Sequence, residues 1–403
     1  MSSPDVKVAK GGADNVPYFT LTQYPPSGTA VKPQSKDKII PKLFQPLTIR
    51  GVTFQNRIWV APLSQYSAED GKATPWHLSQ YGGWVTRGPG LTIIEATAVS
   101  ENGRLDPHSL GLWNEEQLES MKAIVNFTHS QLFHSGRKGS TVAPWLGSHN
   151  ATKEAGGWPD DIIGPSAVPY DQGSFVPREM TLSEIANFRK SWISAVERSL
   201  RAGFDVIEIH AAHGFLFHQF LSPVSNKRTD QYGGSFENRI RLLLEVIQDT
   251  RLTIPKTMPL FLRVSATDWL EETDIDGWTL EETSQLSIKA AEFGVDFIDV
   301  SSGGSDPRQI IEGGPAYQAG FSKHIKNVVK DKAFVGAVGT ITNGVQANDL
   351  LEEGLDAIFN GRLFQKNPGL VWSWADDLGI FVHAANQIQW GFKEIPPSPR
   401  AIQ

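Results

Sequence analysis

The chain is predicted to fold as a single (β/α)8 barrel of the TIM type, and three observations lead there. Eight short segments rich in β-branched and apolar residues recur along it. Stretches of helical periodicity separate them, and several of the segments end in glycine- or histidine-bearing turns. Strand signals alternating with helical ones are the pattern of a parallel sheet with helical crossovers, and eight such units close on themselves.

In chain order, residues 1–40 mix Pro, Gly, Ser and Lys without sustained periodicity and read as a tail or loosely docked arm. Residues 43–56 (LFQPLTIRGVTFQN) alternate around Arg50-Gly51 as a hairpin does, and would plug the N-terminal end of a barrel spanning 41–392. The eight strand segments are Arg57–Leu63, Leu91–Ala98, Gln131–His134, Asp205–Ile209, Leu260–Ser265, Phe297–Ser302, Ala333–Gly339 and Ala357–Gly361. Between the fourth and fifth, Ile240, Leu243, Leu244 and Ile247 share a helical face over Glu237–Thr250. Between the sixth and seventh, Phe321, Ile325 and Val328 do the same over Tyr317–Val329. A last helix is expected near Pro368–Leu378, ahead of a tail at 393–403, and the Pro-, Gly- and Trp-rich stretch Ser140–Glu179 reads as an excursion over the barrel mouth.

One junction is too tight. Leu118, Met121, Val125 and Thr128 carry a helical face to about His129, yet the third strand is expected from Gln131. A helix-to-strand connection normally takes 2–6 residues. Either the helix unwinds to supply strand, or the third stave is short.

Composition narrows the function classes. The 37 basic and 44 acidic residues leave a formal charge of −7 with no basic stripe, which argues against nucleic acid as the main partner. With no cysteine, the chain has neither disulfides nor a thiolate zinc site, which fits the cytosol. No apolar run reaches the roughly 18 residues of a membrane span, and no signal-peptide apolar region opens the sequence.

Chemistry concentrates in residues 205–239, DVIEIHAAHGFLFHQFLSPVSNKRTDQYGGSFENR. A buried strand ends in His210 and His213, three residues apart, which on a regular strand would face opposite ways. Both can reach one pocket only if the chain leaves strand geometry near Ala211 or Ala212. HAAHGFLFHQFLSP followed by RTDQYGGSFENR resembles the signature of the old yellow enzymes, flavin-dependent ene-reductases, and most nearly their fungal single-barrel branch; the resemblance runs from about Leu43 to Phe392. It implies a non-covalent FMN at the C-terminal mouth of the barrel, NAD(P)H as reductant, a small-molecule enone or related activated alkene as substrate, and a homodimer. Against that family about seven residues are missing just before Gln131.

The resemblance also implies roles. Ala61-Pro62-Leu63-Ser64 would run beside the flavin, and Tyr66 would face ring and substrate. The branch usually has cysteine where Ser64 stands, and Ser64 is equally an ordinary strand-end turn residue. The backbone at Ala96 would approach the flavin's pyrimidine side, and the Gln131 amide would pair with its edge. Arg263, set among apolar residues in LFLRVSATD, needs an anionic partner: the N1–C2=O region of the flavin, or a barrel carboxylate such as Glu208. Gly339 and Gly361-Arg362, after the last two strands, stand where barrels bind phosphate.

His210 and His213 match the pair that holds a substrate carbonyl, polarising the alkene and stabilising the enolate. A metal site including His218, or histidines satisfied in a polar network, are the competing readings. Phe215 stands where the family usually has a tyrosine that protonates Cα, so Tyr66 or solvent is the expected proton source. The same absence is compatible with a redox-neutral alkene isomerase, and the missing segment with a non-catalytic homologue.

Overall fold

The computed structural model describes residues 23–125, 129–147 and 149–392. Eight parallel strands close into a barrel: β1 (Ile58–Val60), β2 (Leu91–Ala98), β3 (His129–Phe133), β4 (Ile207–Ala211), β5 (Leu260–Ser265), β6 (Phe297–Ser301), β7 (Phe334–Ala337) and β8 (Ala357–Asn360). Each pairs with its successor, and β8 pairs with β1 through Phe359 opposite Trp59. The expected fold is the observed one. Residues 1–22, the first part of the expected arm, and 393–403, the whole expected tail, lie outside the described residues. Within the expected arm, the backbone of Gly28 and Val31 bonds to that of His383 and Phe381.

Local signals set the element ends. The helix Leu182–Ala202 begins at Thr181, which accepts from Glu184 N while the Glu184 carboxylate accepts from Thr181 N, and it ends on left-handed Gly203. The expected helix over Glu237–Thr250 is two, Phe236–Arg239 and Arg241–Thr253, hinged at Ile240. The last helix is Leu370–Asp377, and the hairpin pairs Leu47–Ile49 with Val52–Phe54 around left-handed Arg50.

At the tight junction the strand starts early, already occupying His129, to which the helical pattern was expected to run. Among the described residues the helix covers Glu115–Val125 and β3 starts at His129, two residues earlier than the apolar pattern suggests; residues 126–128, Thr128 among them, lie outside the described residues. Pairing with β2 then slips, since Ile93 faces His129 but Ala96 faces Gln131. Three steps on β2 against two on β3 absorb the shortage as a bulge-like irregularity. Strand β4 is displaced the other way, because pairing with β5 continues to Ala211 opposite Val264. His210 therefore lies within the strand.

Side chains inside the barrel stack in layers. Trp59, Phe261, Phe297 and Phe359 form a buried aromatic layer, with Trp59 and Phe261 stacked at 5.7 Å. Phe54 of the hairpin closes it from below, 4.8 Å from Trp59. Burying each ring contributes on the order of 1.5–3 kcal/mol. Gly336 on β7 leaves the space, as a Cβ there would sit 2.7 Å from the Phe297 ring. Two residues further along the same strands the interior turns charged, Phe261 giving way to Arg263 and Phe297 to Asp299. That step positions the site.

Candidate active site

At the C-terminal ends of β1, β5, β7 and β8 lies a cavity of about 410 Å³, lined by Ala61, Pro62, Leu63, Arg263, Gly339, Thr340, Gly361, Arg362 and Lys366, among others. Seven of the expected cofactor residues meet here although they are spread from 61 to 362 in sequence. Gly361 begins the short helix Arg362–Lys366, and a Cβ at 361 would press on Leu63 at 3.1 Å. Gly339 takes a φ of +107°, a conformation that favours glycine. Bare backbone on one wall and the cationic side chains Arg362 and Lys366 on the other suit a phosphate.

Ser64, Ala96 and Gln131 lie outside that lining. Ser64 follows the cavity-lining Leu63, and its side chain partly offsets the burial that raises the Tyr66 phenol. Ala96 faces Gln131 across the β2–β3 pair, because the neighbouring Glu95 points outward to the helix Pro75–Val85. There Glu95 meets His77 Nε2 at 3.1 Å and accepts from Gln65 N at 3.0 Å, fixing the loop that carries Ser64 and Tyr66. Burial pushes the Glu95 carboxyl up, with His77 opposing it. Gln131 Nε2 donates to Glu208, and among the described residues the amide oxygen and the second N–H have no bonded partner, so they can pair with a ligand edge.

Arg263 Nε lies 3.1 Å from Asp299 Oδ2 on β6, so the direct ion pair is to Asp299 and not to Glu208, the carboxylate the sequence suggested. Burial raises the carboxyls of both Glu208 and Asp299, Asp299 adding to the effect on Glu208, while Arg263 opposes it in each. Glu208 Oε1 and both Asp299 oxygens are buried without a hydrogen-bond partner among the described residues. One arginine thus serves two inward carboxyls and still reaches the cavity.

The two histidines do come together. The chain leaves the strand after Ala211, and His213 takes a left-handed φ of +59°, which puts the two rings edge-on at 5.2 Å. Their condition differs. His210 Nδ1 accepts from Ala212 N, so its proton is on Nε2, whereas His213 Nε2 lies 2.7 Å from Ser301 Oγ. Burial, then Arg263, holds both rings well below the usual imidazole range, so both are neutral. His218 does not join them: it faces buried Asp268 at 2.9 Å and accepts from Gly214 N.

Phe215 packs edge-on to His210 at 5.0 Å, and the Lys138 ammonium lies 5.4 Å above its ring. A second cavity of about 220 Å³ is lined by Tyr66, Arg137, Lys138 and Tyr170 among others. Tyr170 comes from the excursion 140–179, as do Thr141, Val142 and Asn150, so that stretch does cover the mouth. Arg228 holds the excursion down by donating to Pro165 O and Met180 O while paired with Asp230, which gives the RTD segment a structural purpose. Tyr66, at a φ of +52°, meets Trp145 edge-on, and burial raises its phenol above the ordinary range. Sequence reasoning missed Lys138, Asp299, Ser301 and Tyr170. The charged pair Arg137-Lys138 just after β3 was the available signal.

Residues 42–378 match the model of the NADH:flavin oxidoreductase / NADH oxidase family. The chain belongs to that family. An NADH:flavin oxidoreductase of Gibberella zeae is 50% identical over 398 residues, covering 94% of this chain and 95% of the relative. An NADPH dehydrogenase of a Geobacillus species is 38% identical over 361 residues, 87% of this chain and 98% of its own. Among solved structures, morphinone reductase superposes with a TM-score of 0.68 at 25% identity, over 85% of this chain and 91% of its own. The old yellow enzyme homologue from Zymomonas mobilis gives 0.69 at 28%, over 85% and 94%. The protein is an NAD(P)H-dependent flavin oxidoreductase whose cofactor is FMN.

The first cavity fits that group: a glycine-walled, cationic end for the phosphate and Arg263 deeper in. Gly361→Val, which would push a branched side chain against Leu63, is expected to abolish FMN retention after desalting while cooperative melting persists. Full flavin retention in that variant would remove phosphate binding from this wall. Among the described residues no helix is long and apolar enough to cross a membrane.

Proposed function

We propose that this flavin oxidoreductase reduces the activated C=C bond of α,β-unsaturated carbonyl compounds. The observation that carries the reading is the neutral, orientated His210, which holds its proton on Nε2 with the His213 ring edge-on beside it at 5.2 Å. A neutral N–H donor fixed before the reaction stabilises developing enolate charge without reorganising during it. Bound FMN supplies hydride drawn from NAD(P)H. The chain's own residues do the rest: His210 and His213 hold the carbonyl, Gln131 and Arg263 hold the polar edge of the cofactor, and Gly339, Gly361 and Arg362 hold its phosphate. Ser64 and the backbone at Ala96 border the ring, and Tyr66 and Phe215 flank the substrate.

A second reading has its own support. Phe215 beside His210 carries no proton, and an enolate that persists can rotate and return its hydride, giving isomerisation. Mass spectrometry of the product from a simple enone decides between them. A gain of two hydrogens is expected, and an unchanged mass with a rearranged alkene would overturn the reductase reading. A purified protein that melts cooperatively but retains no added FMN would instead favour a non-catalytic homologue.

A further inference from the structure

A reductase needs a proton at Cα as well as a hydride at Cβ, and Phe215, packed edge-on to His210, has none to give. One cation lies against that ring. Lys138 Nζ stands 5.4 Å from the Phe215 centroid and 4.7 Å from that of Tyr170, and it lines the cavity that Tyr66 also lines. Its stem comes from the turn Gly136–Lys138 after β3, and its ammonium donates to His213 O at 2.9 Å and Gly304 O at 3.1 Å. Two carbonyls use two of the three N–H donors, so one remains to point into the cavity. The charge has no carboxylate bonded to it among the described residues.

We propose that Lys138 is the catalytic acid of this chain, giving the substrate Cα the proton that Phe215 cannot. The inference rests on the alkene-reductase reading. When hydride adds to Cβ, the π pair moves toward the carbonyl to give an enolate. That pair then forms the Cα–H bond with an Nζ proton, the N–H bonding electrons stay on nitrogen, and the neutral amine regains a proton from solvent. The sum is alkene plus NAD(P)H plus a proton, giving the saturated product and NAD(P)⁺.

The electrostatics agree with the geometry. Burial, with Arg137 beside it, brings the Lys138 ammonium down to about 8, near the range in which a general acid is most effective. The other titratable groups around it are His210 and His213 below, both neutral, and Tyr170, Asp171 and Tyr66 around the cavity. The protonated form is the donor, so alkene reduction should fall as pH rises through about 8.

Lys138→Arg keeps the charge and can keep both carbonyl bonds, but holds its protons far more tightly. The half-reaction that reduces an enone is expected to slow roughly 10²-fold or more in this variant and to lose its alkaline limb. Flavin reduction by NADPH should stay near the wild-type rate. Adding Phe215→Tyr to Lys138→Arg should restore the enone rate. In D2O the wild type should place deuterium at Cα. In the FMN-free protein, cyanate carbamylation of Lys138, followed by peptide mass spectrometry, should titrate near pH 8 and not above 10. Enone reduction by Lys138→Arg at the wild-type rate and pH profile would overturn the proposal. So would the loss following Tyr66→Phe instead. A wild-type protein whose flavin is reduced by NADPH but which reduces no alkene would overturn the functional reading and this one with it.

Discussion

Arg263→Met is expected to lose its FMN and much of its stability, and adding Asp299→Asn is expected to return only the stability. Arg263 is paired at 3.1 Å with Asp299, whose side chain is fully buried, and it opposes the raised carboxyl of Glu208 as well. Removing one partner of a buried pair leaves an uncompensated charge and typically costs about 3–5 kcal/mol. Both carboxyls already sit above their ordinary values, and without the arginine they must rise further. A carboxyl raised in the folded state gives stability that is full below its unfolded value near 4 and is lost as pH climbs through the folded one.

The arginine variant should therefore be more stable at pH 5 than at pH 8, with the wild type changing less over that interval. Urea unfolding at the two pH values measures this directly. Asp299→Asn removes one charge and returns stability, but the cavity still lacks its guanidinium. Equal flavin retention in the double variant and the wild type would show that Arg263 serves only the carboxylates.

His210→Ala is expected to cut enone reduction by about 10²–10³-fold, the usual loss on removing one donor to a developing oxyanion. Flavin reduction by NADPH should change far less. Removing His213 should cost less than removing His210, because His213 Nε2 is already engaged by Ser301 Oγ while His210 Nε2 has no hydrogen-bond partner among the described residues. Stopped-flow measurement of the two half-reactions separates these effects. Equal losses in the two variants would mean that the Ser301 contact opens when substrate binds, and undiminished reduction in His210→Ala would remove the carbonyl role altogether.

Periodicity and end signals made the barrel legible. Leu91–Ala98 and Leu260–Ser265 could be read to the residue, because an apolar run bounded by Gly or Pro is a local property of the chain. The excursion over the mouth and the hairpin plug were legible for the same reason. The site was legible as a set of positions, since a barrel exposes whatever follows its strands at one end. Where β3 begins was not, because its start depends on pairing with Ile93 and Ala96 on another strand.

The sequence by itself determined the fold class, the family likeness and the identities of His210, His213, Arg263 and Phe215. Only the tertiary structure decided what those groups do to one another. That Arg263 pairs with Asp299, that His210 and His213 differ in their free nitrogens, and that Lys138 lies over Phe215 all depend on groups 36 to 88 residues apart in sequence. Periodicity reports which way a side chain points from its own strand. Charge pairing, tautomer and desolvation depend on what the closed barrel brings within a few ångströms, and the missing proton donor at 215 gains a neighbouring cation only when β3 and β4 are side by side.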